Sequence, residues 1–146
     1  DGASMQDCLA LAERARQNTG VVFAVDTLEF LHRGGRIGGA NRFLGTALNI
    51  KPILEIVNGR IEAVDKVRTR KKSLERLLDL LDERIAGRSP VHLATLHANA
   101  PAEAQEILSQ AQVRFNSVEN IFSEVSPVIG THAGPGTIGL AYLAGF

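Results

Sequence analysis

Three glycines, a hydroxyl and an imidazole fall within the seven residues Gly130-Thr131-His132-Ala133-Gly134-Pro135-Gly136, a combination that can hold an anion. Consecutive N–H groups in a glycine-rich turn converge on negative charge, and Thr131 and His132 add side-chain donors. The same residues also fit a tight turn between strands, with the glycines serving geometry alone and His132 hydrogen-bonded in the interior. Gly134 to Gly139 spells G-x-G-x-x-G, but the dinucleotide fingerprint needs a following helix and an acidic residue about 20 positions on. Phe146 stands seven residues beyond Gly139, and Thr137 to Leu143 reads as a strand. A dinucleotide site is therefore set aside.

Arg36, in Arg33-Gly34-Gly35-Arg36, is a second candidate. A glycine-flanked guanidinium can bring its planar fork to a carboxylate without crowding, while a solvated arginine behind a helix C-terminus is the plainer alternative. The third feature is the segment Arg60 to Arg76, with seven basic residues against three acidic ones, a local excess of four positive charges. Arg70, Lys71 and Lys72 open a helix there, and Asp79, Asp82 and Glu83 lie toward its end. Both groups oppose the helix macrodipole, at about 0.3–1 kcal/mol each when exposed. Helix stability leaves that pattern unexplained, so a docking surface for an acidic partner competes with a solvated charged face. His92 and His97, five apart on a strand, point to opposite faces and cannot share a metal. With one cysteine and no complete nucleophile or metal motif, the sequence presents no catalytic set, and no cofactor is expected.

The elements that must position these residues follow from spacing. Ser4 caps a helix with Met5, Cys8, Leu9, Leu11, Ala12 and Ala15 at helical intervals, stopped at Asn18-Thr19-Gly20. A buried strand, Val21 to Val25, precedes a short helix capped by Asp26 or Thr27 and ended by Gly34-Gly35. A small-residue helix is expected from Ala40 to about Leu48. Ile50 to Val67 alternates around Asn58-Gly59, the signature of a two-residue hairpin. Leu74, Leu77, Leu78, Leu81 and Ile85 give one apolar stripe to a helix from Thr69 to about Ala86. Strand Val91 to Ala98, helix Pro101 to Phe115 and strand Ser117 to Ser126 form a β-α-β stretch. The class is α/β, with α+β as the variant: a mixed sheet with helices packed against it in two layers.

The chain has 146 residues, 45% of them hydrophobic and 22% charged, which suits a single globular domain. Lys and Arg together number 16, as do Asp and Glu, so no global field attracts a polyanion and no nucleic-acid partner is expected. Cys8 cannot pair within the chain, no apolar run spans a bilayer, and the expected location is cytoplasmic. The start, Asp1-Gly2-Ala3-Ser4, enters a helix almost at once, as a piece of a longer protein would.

Four blocks give the sequence a wider resemblance: Asp26-Thr27-Leu28-Glu29-Phe30-Leu31-His32-Arg33-Gly34-Gly35-Arg36-Ile37, Asn49-Ile50-Lys51-Pro52-Ile53-Leu54, Lys66-Val67-Arg68-Thr69-Arg70-Lys71-Lys72, and Pro127 through Gly136. In that order they resemble the C-terminal half of the DegV family, and the likeness covers nearly the whole chain. It implies that residues 1–146 form a DegV-like C-terminal lobe, with residues 1–20 near the connection to an N-terminal lobe not included here. It further implies a bacterial two-lobed fatty-acid-binding protein, not itself an enzyme, whose relatives in some cases present the fatty acid to a separate fatty acid kinase. By the resemblance His132 contacts the carboxylate, with Thr131 and Gly130 beside it and Arg36 working with it. Arg68 matches a position implicated in meeting the kinase, with Arg70 and Lys71 in the same basic block.

A fatty acid needs an apolar cavity, and the residues proposed to line it are Phe43, Leu44, Ala47, Leu48, Ile53, Ile56, Leu93, Ile121, Phe122, Val125 and Ile129. Gly38, Gly39 and Gly45 are expected to leave room for methylenes. Each buried CH₂ contributes about 0.8 kcal/mol, so the tail supplies most of the affinity and the polar end sets orientation. Two rival readings are an accessory lobe of an acyl- or phosphoryl-transfer enzyme, with His132 as general acid or base, and an interaction or nucleic-acid-binding domain built on Arg60 to Arg76.

Overall fold

A computed structural model describes residues 2–45 and 49–146. Helix α1, Met5–Asn18, starts from a capping box: the Ser4 side chain accepts from the Asp7 amide while Asp7 accepts from the Ser4 amide. No residue of α1 is buried, so its apolar positions are presented outward. Strand β1, Thr19–Ala24, leads to the short helix α2, Glu29–Arg33, with the Thr27 hydroxyl accepting from the Glu29 amide. The helix expected from Ala40 to about Leu48 is instead a 3₁₀ turn, Gly38–Phe43; Ala47 and Leu48 lie outside the described residues. At Gly38 and Gly39 a Cβ would strike the Ile61 carbonyl and the Glu62 carboxylate. These glycines let the turn lie against the neighbouring strand, not make room for a ligand.

Strands β2, Lys51–Val57, and β3, Arg60–Val67, form the expected hairpin. Asn58 and Gly59 both have positive φ, 50° and 76°, as a two-residue turn that matches strand twist demands. Helix α3, Arg70–Ile85, is capped by Thr69 and buries Ser73, Leu77, Leu78, Leu80, Leu81 and Ile85. Strand β4, Val91–His97, helix α4, Pro101–Phe115, and strand β5, Glu119–Glu124, form the β-α-β unit. Helix α5, Pro127–Ala133, and strand β6, Ile138–Ala144, complete the chain.

Among the described residues six strands form one sheet in the order β3-β2-β1-β6-β4-β5. Among the described residues only β4 and β5 run parallel, and the α4 crossover makes that possible. Alternation then gives the sheet two different faces. Val22, Ala24, Ile53, Val91, Leu93, Ile138 and Leu140 point toward α3 and α4 and join Leu77, Leu80, Leu81 and Ile107 in the main core. Phe23, Leu54 and Ala63 point the other way, toward α2 and the 3₁₀ turn, in a smaller cluster with Val25, Leu28, Leu31 and Ala40.

Candidate functional site

Residues 127–133, expected to be part of an open loop, are helical. Ser126 caps the helix by accepting from the Ile129 amide, Pro127 occupies its first turn, and Gly134, at φ 85°, ends it. A Ser-Pro pair is a helix start, and it outweighs the single Gly130 inside. The backbone donors are consequently used: Gly130 N–H donates to Ser126 O at 2.9 Å, Gly134 N–H to Gly130 O at 2.8 Å, and Gly136 N–H to Ala98 O at 2.8 Å. There is no anion nest in this segment.

Helical geometry also separates neighbours that the sequence reading grouped, since one residue along a helix is a turn of about 100°. Thr131 is exposed, and its hydroxyl donates to Pro127 O at 2.8 Å. With Gly130 it lines a groove of about 480 Å³ shared with Asn99, Glu124 and Ser126. His132 turns elsewhere. It lines an adjoining groove of about 410 Å³ together with Arg36, so the structure brings those two together, while Thr131 and Gly130 line the other groove.

Gly34 is the pivot of the His132–Arg36 end. It closes α2, and a Cβ there would strike the His132 ring, so only glycine lets α5 seat its imidazole against the helix end. The Arg36 guanidinium folds back and donates to Gly34 O at 2.7 Å. His132 Nδ1 is buried without a hydrogen-bond partner among the described residues. Packing against Gly34 closes that edge of the ring.

The rest of this groove is apolar. Val21 and Phe23 from β1, Ile56 from β2, Ile61 from β3 and Leu96 from β4 form its floor, and Leu31, Val125, Val128, Ile129 and Ala133 form its walls. Among the described residues Thr137 is the one other polar side chain in the lining, and its hydroxyl donates to Ala133 O and Gly134 O at 3.0 and 2.8 Å. Gly139 also lines the groove, and a side chain there would face Phe23 and Leu96.

Of the residues proposed as cavity lining, Ile56, Val125 and Ile129 belong to it. Ile53 and Leu93 point to the opposite face and are sealed in the main core. Phe43 and Leu44 line a neighbouring groove of about 560 Å³ with Arg68 and Lys51. Phe122 packs on the His97 ring at 5.1 Å, and Ile121 is exposed on the β5 edge. Sequence reasoning missed Val21, Phe23, Ile61, Leu96 and Gly139. Strand alternation carried the first four, and a glycine in a strand interior pointed to the last.

The basic block divides into free and paired cations. Arg68 is exposed and has no polar partner among the described residues. Lys71 is exposed and stands 4.0 Å from Glu75. Arg70 instead turns inward, gripping Glu103 through Nε at 3.0 Å and Nη2 at 2.9 Å, with Nη1 3.5 Å from Asp26. Arg76 binds Asp65 and Glu83, each at 2.8 Å, and its hydrogen bond holds the Asp65 carboxyl below the usual range. Arg114 on α4 bridges Asp79 and Asp82 and has its own pKa raised by them. Tertiary pairing thus accounts for much of the charge order in α3 that opposes the macrodipole. Among the described residues no three His, Cys, Asp or Glu side chains gather as a metal group, and His92 faces Glu119 at 3.0 Å.

A mixed sheet covered by helices on one face and carrying an apolar groove with a His–Arg end on the other defines an α/β lobe. The chain belongs to the DegV family: the family model described as "Uncharacterised protein, DegV family" matches residues 1–145. It is 40% identical over 140 residues to a DegV domain-containing protein of Streptomyces coelicolor, covering 95% of this chain and 50% of that protein. It is 37% identical to protein DegV of Bacillus subtilis, covering 96% and 50% respectively. A solved DegV-family structure from Thermus thermophilus, described as fatty-acid binding, superposes with TM-score 0.92 at 38% identity, covering 98% of this chain and 51% of that one. The crystal structure of Bacillus subtilis DegV, described as a fatty acid binding protein, gives TM-score 0.80 at 37% identity, covering 97% and 50%. The chain spans about half the length of the curated relatives it matches. Among the described residues no helix is long and apolar enough to cross a membrane.

Proposed function

We propose that this lobe binds a long-chain fatty acid, with the hydrocarbon along the apolar groove and the carboxylate at its His132–Arg36 end. The observation that carries this reading is the groove itself: about 410 Å³, walled by aliphatic and aromatic side chains, with His132, Arg36 and a hydroxyl already engaged as its polar residues. That volume lies in the range of sites that bury small ligands, about 300–1,000 Å³, where apolar contact supplies affinity and a few polar groups fix orientation. Relatives described as fatty-acid binding share the fold. Because those relatives are twice as long, a second lobe closes over the groove and completes the carboxylate site, where Thr131 and Gly130 on the adjoining groove face it. The role is binding, not turnover, and Arg68 with Lys71 forms the cationic surface on which a fatty acid kinase docks. Arg70 supports that surface through Glu103.

The test is titration of the natural full-length protein with isotope-labelled hexadecanoate. Saturable binding is expected, weakened about tenfold by His132→Ala, the loss of one charge-assisted contact. Absence of uptake of any long-chain acid overturns the reading. Unchanged affinity in His132→Ala removes that residue from the site.

A further inference from the structure

The two short helices at the His132–Arg36 end hold one another by a reciprocal contact. At Gly34, which closes α2, the bare Cα receives the His132 ring of α5. At Gly134, which closes α5 and is buried, a Cβ would strike the ring of Phe30 on α2. Each helix therefore offers one ring and one glycine, and each ring fills the space that the other helix's glycine leaves. On α2 the two are one turn apart, on the same side of the helix, and the Gly34 amide donates to the Phe30 carbonyl at 2.9 Å. On α5, His132 and Gly134 are two residues apart.

Five and seven residues are too few for helices to persist on backbone bonding alone, so the placement of α5 depends on what it packs against. The His132 ring has one edge set by Gly34, and its Nδ1 makes no hydrogen bond among the described residues that would hold its direction. The remaining constraint comes through the backbone at the end of α5. There the Thr137 hydroxyl donates to Ala133 O and Gly134 O, and Phe30 meets Gly134 from α2. Phe30 is half-buried and is not among the described residues that line the apolar groove. Any effect it has on a ligand there passes through α5.

We propose that Phe30 is a positioning residue for carboxylate recognition: by filling the hollow at Gly134 it fixes the last turn of α5, and with it the direction in which His132 presents its imidazole. The inference rests on the fatty-acid reading above. It names a residue outside the groove that sets the preference for a charged head over a neutral one.

Competition binding to the natural full-length protein tests it with hexadecanoic acid and hexadecan-1-ol, which share a hydrocarbon and differ in the head. Phe30→Ala is expected to lower the acid-to-alcohol affinity ratio about tenfold, the worth of one charge-assisted contact, with alcohol binding little changed. Phe30→Tyr, which keeps the ring, is expected to restore the ratio. In His132→Ala the ratio is already lowered, and adding Phe30→Ala is expected to lower it no further, because the two residues act as one unit. The imidazole ¹⁵N signals of His132 are expected to shift in Phe30→Ala, while those of His92 and His97 on β4 stay in place. Should the alanine variant fail to fold, Phe30→Leu, which keeps bulk and loses the ring, is expected to move the ratio and the His132 signals in the same direction. An unchanged ratio, equal weakening of both ligands, or full additivity with His132→Ala overturns the positioning role and spares the fatty-acid reading. Binding of neither ligand to the parent protein overturns both.

Discussion

The two faces of one sheet differ in what their side chains are allowed to finish. Toward α3 and α4 the middle of the sheet is closed over, and Leu77, Leu80 and Leu81 are fully buried against Ile53, Ile138 and Leu140. Toward α2 and α5 the cover is two short helices and a 3₁₀ turn, of five, seven and six residues, and the apolar floor between them stays open while Val128 and Ile129 stand exposed at its rim. The first face supplies cohesion, because close-packed interiors resist any loss of volume. The second withholds cover and so has apolar surface left to give to a ligand. On the proposed reading, stability and binding fall on opposite sides of the same strands, one residue apart.

Mutations should separate the two faces. The largest effect belongs to the sealed face: Leu81→Ala, at a fully buried site, is expected to destabilise the natural full-length protein by about 2–5 kcal/mol in urea unfolding. A smaller change with the opposite selectivity is expected from Gly139→Leu. It places a side chain between Phe23 and Leu96 and should cut hexadecanoate affinity by about 1–3 kcal/mol in a binding titration, with a smaller loss in unfolding than Leu81→Ala. Equal effects of both variants on stability and on binding would break the division.

The smallest effect is at the rim of the sealed face, where Arg76 holds Asp65 below its ordinary value of 3.8. A depressed carboxyl stabilises the fold above its unfolded pKa, and that contribution is lost as pH falls through the lower folded value. The side chain is 42% exposed, so solvent screening limits the pair to about 0–1 kcal/mol. Asp65→Asn should therefore lower neutral-pH stability slightly and match the parent protein in strong acid, as pH-dependent unfolding curves would record. A variant that differs equally at both pH extremes contradicts the assignment.

Much of the sealed face was legible in the sequence, because its signals are local. The Leu stripe of α3, the Asn58-Gly59 turn and the Ser4 cap each declare themselves within a few residues. Leu80 escaped because it is buried off that stripe, between α3 and the sheet. The open face depends on what is brought together from afar. His132 and Arg36 were identified singly, but their common anchor at Gly34 joins α2 to α5, a contact across nearly a hundred residues that no spacing encodes. The glycine-rich segment was misread as a loop because its glycines were counted and the Ser126-Pro127 helix start was not. Arg70 looked like a surface cation because its partners, Glu103 and Asp26, are distant in sequence. Ile53 and Leu93 were assigned to the cavity because hydrophobicity alone does not say which face a strand residue takes until its register is known.

The division between faces is tested most directly by locating the chain of a bound fatty acid. Uniformly ¹³C-labelled hexadecanoate bound to the natural full-length protein, with methyl-labelled side chains, reports which methyls lie beside the hydrocarbon through isotope-edited nuclear Overhauser contacts. The expected contacts are with Val21, Ile56, Val125 and Ile129. Contacts instead with Leu77, Leu81 or Ile107, on the face sealed by α3 and α4, would contradict the account.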